Sequence, residues 1–192
     1  MEYQSALLKE LNWDPVEFLI DRPRLRMVTP QMHTINAARP AFYAHRDTWY
    51  ANPEEQINMW IPLDRYQEQE TFTFYGSYFR QAIENDSKNF DYQLWKKEIG
   101  FQAINTKSSI YPRALKNLPT AEDTFSCQKG QRLLFSAQHL HRTLENLGNR
   151  TRLSIDFRVV NKVDFEKKYG PENQDNSCRG SVLDEYTVGR KF

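Results

Sequence analysis

The sequence has little of several features that mark large classes of protein, with two cysteines, four histidines and no long apolar run among its 192 residues. Its charges almost cancel, with 26 basic and 25 acidic residues. No basic stripe alternates with aromatic residues, so we expect no nucleic-acid partner. The lack of an apolar run of roughly 18 residues likewise argues against a membrane partner.

The two cysteines, Cys127 and Cys178, lie far apart and fit neither a metal-binding nor a redox spacing. We expect both to be reduced thiols, which favours a cytoplasmic location. The opening segment, MEYQSALLKELNWD, agrees with this expectation because it lacks the apolar core of a signal peptide.

What the sequence does contain is a series of short strand-like segments separated by turn residues. They are the ranges 24–35, 41–50, 57–63, 70–75, 131–146 and 151–160. Residues 4–21 have a helical pattern broken by Pro15, and the range 91–104 carries a second one. Many short strands with turns between them predict a mainly β fold, either a sandwich or a barrel.

We predict a single domain over residues 1–192. Its β core extends from about 24 to 160 and is interrupted by a helical insertion at about 76–118, and a polar tail follows at 161–192. We expect the tail to be irregular apart from a short C-terminal turn. The insertion could be a lid over substrate, a dimer surface or a cover for the sheet.

The stretch HRDTWY, residues 45–50, carries the first functional signal. In a strand, residues i and i+2 point to the same face, so His45 and Asp47 aim their side chains together. A third ligand could come from His139 or His141, which also share a face. Two histidines and a carboxylate leave three positions open on an octahedral metal, an arrangement typical of non-haem Fe(II) oxygenases.

The strand TRLSIDFRVV, residues 151–160, carries an independent signal. Its polar residues alternate with apolar ones, so Arg152, Ser154, Asp156 and Arg158 share one face. A polar face on an otherwise apolar strand indicates a wet cavity or bound partners. The planar fork of Arg152 suits a carboxylate, and Ser154 can donate to the same group.

The order of these motifs, H-x-D, then a distal histidine, then R-x-S, resembles the Fe(II)/2-oxoglutarate-dependent dioxygenase superfamily. The segments HRDTWYANPEEQINMWIPL, ETFTFY, HRTLEN and TRLSIDFR further resemble a bacterial group of that superfamily, of the phytanoyl-CoA-hydroxylase-like or natural-product type. The resemblance covers roughly residues 24–160. It implies a double-stranded β-helix (jelly roll, cupin-like) and an oxygenase that hydroxylates a small molecule with release of succinate and CO2.

The resemblance also implies a ligand set. Fe(II) would be bound by His45, Asp47 and a distal histidine, and no catalytic residue is expected beyond these ligands. The pattern H-x-T-x-x-N that begins at His141 favours it over His139, which would then line the cavity.

The resemblance also assigns the binding of the cosubstrate to residues of the last strand, 151–160. Arg152 would hold the distal carboxylate of 2-oxoglutarate with help from Ser154. Asn58 could bond the iron-bound carboxylate of 2-oxoglutarate, or it could merely form a hydrogen bond within the barrel.

Three further residues are candidates for the pocket wall. Trp60 shares a face with Asn58 on the strand at 57–63, and Tyr43 has the same parity as His45. Arg158 could face substrate, or it could be a structural ion-pair partner.

Two other functions fit parts of the pattern. A cupin-type metalloenzyme without 2-oxoglutarate would use the metal ligands but would leave R-x-S without a role. A non-catalytic jelly-roll binding module would not need the intact ligand set. We expect a small-molecule substrate of unspecified class, and a homodimer is compatible with the short N-terminal region.

Overall fold

The computed structural model describes residues 2–100 and 111–190. In these ranges the α-helices are α1 (Glu2–Glu10), α2 (Tyr92–Glu98) and α3 (Lys162–Lys167). The strands are β1 (Phe18–Ile20), β2 (Arg24–Val28), β3 (Ile57–Pro62), β4 (Phe72–Phe74), β5 (Leu133–Ser136), β6 (His141–Thr143), β7 (Arg152–Asn161) and β8 (Thr187–Val188). No helix within these ranges combines the length and the apolar character needed to cross a membrane.

The main sheet is built around β7, which has ten residues. Strand β3 pairs with one edge of β7, and β2 and β1 pair with successive parts of the other edge, all antiparallel. Strands β5 and β8 extend the sheet on either side. Alternation along β7 places Phe157 and Val159 in a core with Leu7 and Leu8 of α1. Its polar residues, from Arg152 onward, therefore project from the opposite face.

A second sheet consists of β4 and β6, also antiparallel. An aromatic layer lies between it and the main sheet, since the Phe72 ring is 5.6 Å from Phe135 and 5.2 Å from Trp60. Two packed antiparallel sheets with few helices confirm the predicted mainly β class. The division of the chain into one domain stays a prediction.

The predicted strand at 41–50 is wrong for most of its length. Short 3-10 helices occupy Asn36–Phe42 and Asp47–Tyr50, and His45 alone forms an isolated bridge with His141. A regular strand with His45 and Asp47 pointing inward would turn Arg46 out to solvent. Arg46 is instead completely buried, which requires the chain to turn at Asp47.

The predicted strand at 131–146 is broken in two. Strand β5 belongs to the main sheet and β6 to the second sheet, so residues 137–140 carry the chain from one sheet to the other. The Ala137 carbonyl accepts the backbone N–H of Asp47 at 3.0 Å rather than a partner in a regular ladder. This crossing brings the segment before β6 beside the segment that carries His45.

Three other segments differ from the sequence-based prediction. The strand predicted at 24–35 ends at Val28, and Gln31 has a left-handed φ of 57° that starts a turn. The tail contains α3, whose first turn is capped by the Asn161 side chain, and β8, which pairs with β1. Of the helix predicted at 91–104, α2 accounts for the first part and residues 101–104 lie outside the described ranges.

Candidate metal centre

Three side chains from two segments that are distant in sequence meet between the two sheets. Ligand atoms of His45, Asp47 and His141 all lie within 4.8 Å of one another. Two reciprocal backbone hydrogen bonds fix the histidines side by side, from His45 N–H to the His141 carbonyl at 2.9 Å and from His141 N–H to the His45 carbonyl at 3.0 Å. The group offers two imidazoles and one carboxylate, a donor set suited to a first-row transition metal.

Backbone carbonyls orient both imidazole rings. Nδ1 of His45 lies 2.8 Å from the Tyr43 carbonyl, and Nδ1 of His141 lies 2.9 Å from the His139 carbonyl. A carbonyl can only accept a hydrogen bond, so each Nδ1 carries the proton and donates. In its neutral form each imidazole then carries its lone pair on Nε2, the atom that a metal ligand would use.

A chain of buried hydrogen bonds holds Asp47. Its Oδ2 accepts from Nδ2 of Asn58 at 2.7 Å, and the Asn58 Oδ1 accepts from Nε2 of Gln56 at 2.9 Å. The Gln56 Oε1 in turn accepts from the Tyr186 hydroxyl at 2.6 Å. The hydrogen bond to Asp47 agrees with the second of the two roles considered for Asn58, a hydrogen bond within the barrel. The Asn58 side chain thereby fixes the orientation of the carboxylate.

Asp47 is ionised in this environment. Burial favours its neutral form, but the interactions with His45, His141 and Arg158 outweigh burial and hold the pKa of Asp47 well below its usual range. The carboxylate is therefore available as an anionic ligand across the whole physiological pH range.

Arg46 anchors the segment between two members of the group. Its guanidinium pairs with Asp175 from the tail, with Nε 3.0 Å from Oδ1. It also donates to the carbonyls of Gln138, Tyr78 and Gln81. A fully buried arginine with these partners fixes the backbone on both sides of it, which places His45 and Asp47.

Aromatic rings surround His141. Phe135 lies 5.2 Å from its ring, and Phe72 and Phe74 lie 6.0 and 6.1 Å away. Burial among these rings, with the charge of His45 as a lesser contribution, lowers the pKa of His141 to about 4. The imidazole is therefore neutral at physiological pH.

The lowered pKa of His141 predicts an acid-sensitive apoprotein. An unfolded histidine has a pKa of about 6.5, so between about pH 6.5 and pH 4 the unfolded state binds the proton and the folded state does not. Stability is present above this window and falls with decreasing pH, by up to about 1.4 kcal/mol per pH unit from this residue. His139, whose pKa is also lowered by burial, adds to the same trend. Urea unfolding of chelator-treated protein between pH 7 and 4.5 measures the slope, and a His141→Gln variant with an unchanged slope would contradict this account.

Arg152 lies at the start of β7 and is almost completely buried, with 4% of its surface exposed. Its guanidinium donates to the carbonyls of Thr71 and Leu144, while its Nε is buried without a hydrogen-bond partner. Arg152 has no ion pair within the described ranges. Burial lowers the pKa of Arg152 to about 10, so it remains a cation at neutral pH. A buried cation without a carboxylate is the kind of group that an anionic ligand would satisfy.

The other predicted site residues lie on the strands around the three candidate ligands. Ser154 is buried on the same face of β7 as Arg152. Arg158 pairs with Asp21 at 3.1 Å, while its charge also acts on Asp47. Trp60 packs edge-on against Phe72 in the aromatic layer.

Two predicted pocket residues lie apart from the three ligand atoms. His139 is not a member of the group, and its ring packs 4.5 Å from Phe79 with Nδ1 on the Ser136 carbonyl. Tyr43 supports His45 through its carbonyl, and its ring lies under the guanidinium of Arg113.

Sequence reasoning missed four residues that position this site: Arg46, Gln56, Asp175 and Tyr186. Arg46 gave no local signal, because on a strand with His45 and Asp47 pointing inward it would point to solvent. Asp175 and Tyr186 lie in the tail, more than a hundred residues after Arg46 and Gln56, and no spacing rule connects these pairs.

No family model and no curated protein matches this sequence. Among solved structures, EvdO2 from Micromonospora carbonacea var. aurantiaca superposes with a TM-score of 0.52 at 12% identity, covering 83% of this chain and 64% of that one. The same protein complexed with 2-oxoglutarate gives 0.51 over the same coverage. This chain therefore spans just under two thirds of the length of EvdO2.

Two further solved structures superpose with TM-scores below 0.5. The non-heme monooxygenase ThoJ in its apo form gives a TM-score of 0.49 at 10% identity, over 76% of this chain and 47% of that one. The epimerase SnoN, in complex with Fe3+, alpha ketoglutarate and nogalamycin RO, gives 0.46 at 13% identity, over 96% and 74%. The similarity to EvdO2 establishes the class of fold, a two-sheet β architecture that in this chain contains a His-Asp-His group.

Proposed function

We propose that this protein is a non-haem Fe(II)- and 2-oxoglutarate-dependent oxygenase that hydroxylates a small-molecule substrate. The observation that carries the proposal is the convergence of His45, Asp47 and His141, with both imidazoles presenting Nε2 and the carboxylate ionised. Two imidazoles and one carboxylate are the donor set of such oxygenases. The two packed sheets would form a double-stranded β-helix, as in the superfamily that the sequence resembles.

The cosubstrate is supported by Arg152. The buried guanidinium has carbonyl partners but no carboxylate within the described ranges, and its Nε is unsatisfied. A carboxylate of 2-oxoglutarate would supply both the charge and the missing acceptor. Ser154, buried two residues along the same face, could donate to the same group. The 2-oxoglutarate complex of EvdO2 indicates that a protein of this fold accepts the compound.

The chain's own residues have distinct roles in this proposal. Asn58 orients Asp47, the backbone carbonyls at Tyr43 and His139 orient the two imidazole rings, and Arg152 binds the cosubstrate. Phenylalanine rings around His141 exclude water from one side of the centre. Bound Fe(II) together with 2-oxoglutarate and dioxygen would supply the oxidising chemistry. One oxygen atom of dioxygen would enter succinate as 2-oxoglutarate loses CO2, and the other would enter the hydroxylated substrate.

The finer assignments extend this proposal. We place the chain in the phytanoyl-CoA-hydroxylase-like or natural-product group on its sequence resemblance. On the same resemblance we propose a small-molecule substrate, and on the composition we propose a cytoplasmic location and no nucleic-acid partner. A homodimer remains compatible with these assignments.

The first experiment loads the anaerobic protein with Fe(II), adds 2-oxoglutarate and records the weak metal-to-ligand absorption band in the visible. We expect a band in the wild type and its loss in His141→Gln and Asp47→Ala. His139→Gln is the matched control, because this histidine lies two residues from His141 but outside the three-residue group. It should keep the band.

The alternatives give different results. Bound iron without a band would exclude 2-oxoglutarate and favour a cupin-type metalloenzyme. A protein that binds no iron would be a non-catalytic binding module. A band that survives in His141→Gln but disappears in His139→Gln would mean that the ligand set is wrong.

A further inference from the structure

A basic cleft lies on the opposite side of β6 from the candidate metal centre. Its volume is about 510 Å³, which is within the range of small-molecule sites. Alternation along β6 explains its position, because His141 points between the sheets and Arg142, the next residue, points to the other face. Ala44, which precedes His45, lines the same cleft.

The lining of the cleft is strongly cationic. Arg39, Arg113, Lys116 and Arg142 contribute four positive charges, whereas Glu145 is the one carboxylate among the described lining residues. These cations come from three separate parts of the chain, so no basic run in the sequence reveals them. Like charges held at the rim of one concave space repel each other, and a bound anion would relieve that repulsion.

The cations are poorly neutralised by the protein itself. Arg39, Lys116 and Arg142 have no ion pair within residues 2–100 and 111–190, and Arg113 reaches Asp86 only at 4.0 Å. Glu145, the carboxylate of the lining, lies 3.7 Å from His33.

Arg142 gives a second, independent observation. Its Nε is buried without a hydrogen-bond partner, although most buried polar groups in proteins are satisfied. Nearby, the Arg113 guanidinium rests on the ring of Tyr43 at 5.1 Å, which restricts the conformations of that side chain. Lys116 is held by the Tyr78 hydroxyl at 2.7 Å. The cleft therefore combines restrained cations with an unsatisfied donor.

We propose that this cleft binds the phosphoryl group of a small molecule. A phosphate monoester carries close to two negative charges at neutral pH and several acceptor oxygens, which suits guanidinium groups that approach from more than one side. A single carboxylate would leave most of the cationic charge uncompensated. An extended nucleic acid would need a basic surface beyond this one concavity, and the chain has a net charge of +1. The proposal does not depend on iron or on 2-oxoglutarate.

Isothermal titration of the full chain with phenyl phosphate tests the proposal, in the presence of a metal chelator and at constant ionic strength. We expect saturable binding by the wild type and at least a tenfold weaker association for Arg142→Gln and for Lys116→Gln. Lys116 is exposed, so its replacement leaves folding intact even if Arg142→Gln is destabilising. The control pair, Arg80→Gln and Lys167→Gln, removes the same charges outside the cleft and should bind like the wild type.

Two further titrations identify the ligand chemistry. Inorganic phosphate should displace phenyl phosphate, and succinate, a dianion without a phosphoryl group, should displace it at least tenfold less effectively. Displacement by succinate as effective as that by phosphate would overturn the phosphoryl assignment. No saturable heat in the wild type, or equal binding by the cleft variants and the control pair, would overturn the site itself.

Discussion

Replacing Asp175 by asparagine should lower the free energy of unfolding by about 3–5 kcal/mol, the usual cost of removing one partner of a buried ion pair. Arg46 and Asp175 have side-chain exposures of 0% and 5%, so the remaining arginine would be a buried cation without its counter-charge. Asp175 also accepts from Trp49 Nε1 at 2.8 Å and from the Ile83 N–H at 2.9 Å. Urea unfolding of the metal-free protein measures the change.

The matched control for this prediction is Asp64→Asn. Asp64 pairs with Arg150 at 2.7 Å, but both side chains are largely exposed, so the expected cost is below about 1 kcal/mol. A double replacement, Arg46→Met with Asp175→Leu, should recover part of the lost stability because no buried charge remains. Similar losses for Asp175→Asn and Asp64→Asn would show that Arg46 does not depend on its buried partner.

The consequence for the metal centre follows from the position of Arg46 between two ligands. Once Arg46 is released, the segment 45–47 loses the contacts that fix its turn. Metal affinity should therefore fall in Asp175→Asn even at temperatures where the protein remains folded.

The pairing of His45 with Asp47 could be predicted from the sequence, but the geometry that unites them with His141 could not. The i, i+2 rule grouped His45 with Asp47, yet it assumed a strand where the chain forms a bridge followed by a 3-10 turn. The two side chains still lie together, because side chains two residues apart can also converge in a turn. Strand propensity could not reveal the turn, since its cause is the burial of Arg46 by a distant residue.

Alternation was more informative on the long strands. The pattern TRLSIDFRVV predicted both faces of β7, because a central strand with partners on each side has no freedom to twist out of register. On β3, the same alternation places Met59 and Ile61 in the hydrophobic core and Asn58 on the opposite face. It could not identify the partner of Asn58, because a hydrogen bond to Asp47 depends on how β3 meets a separate segment of the chain.

The tail shows the limit of local reasoning most clearly. Its polar composition predicted an irregular segment, whereas Asp175 and Tyr186 reach the interior and complete two buried hydrogen-bond networks. Polar side chains that are buried through long-range partners look the same in sequence as solvated ones. Only the folded arrangement distinguishes them.

Replacing Arg152 by methionine should have opposite effects on cosubstrate binding and on stability. If Arg152 binds a carboxylate of 2-oxoglutarate, the affinity should fall at least about thirty-fold, since losing one partner of a buried charge pair costs roughly 2–5 kcal/mol. The ligand-free protein should be as stable as the wild type or more stable. Burial lowers the pKa of this arginine to about 10, so keeping it charged in the folded state opposes folding at neutral pH.

Two measurements on the same samples separate these effects. Thermal unfolding with and without 2-oxoglutarate, in the presence of Mn²⁺ as a redox-stable metal, should show a ligand-induced rise in Tm for the wild type and little or none for Arg152→Met. Arg150→Met is the control, since it removes an exposed arginine two residues earlier and should preserve the rise. A buried cation kept only for structure would give the reverse pattern, with Arg152→Met destabilised and its response to 2-oxoglutarate unchanged. The comparison thus distinguishes a binding residue from a structural one without requiring the substrate to be known.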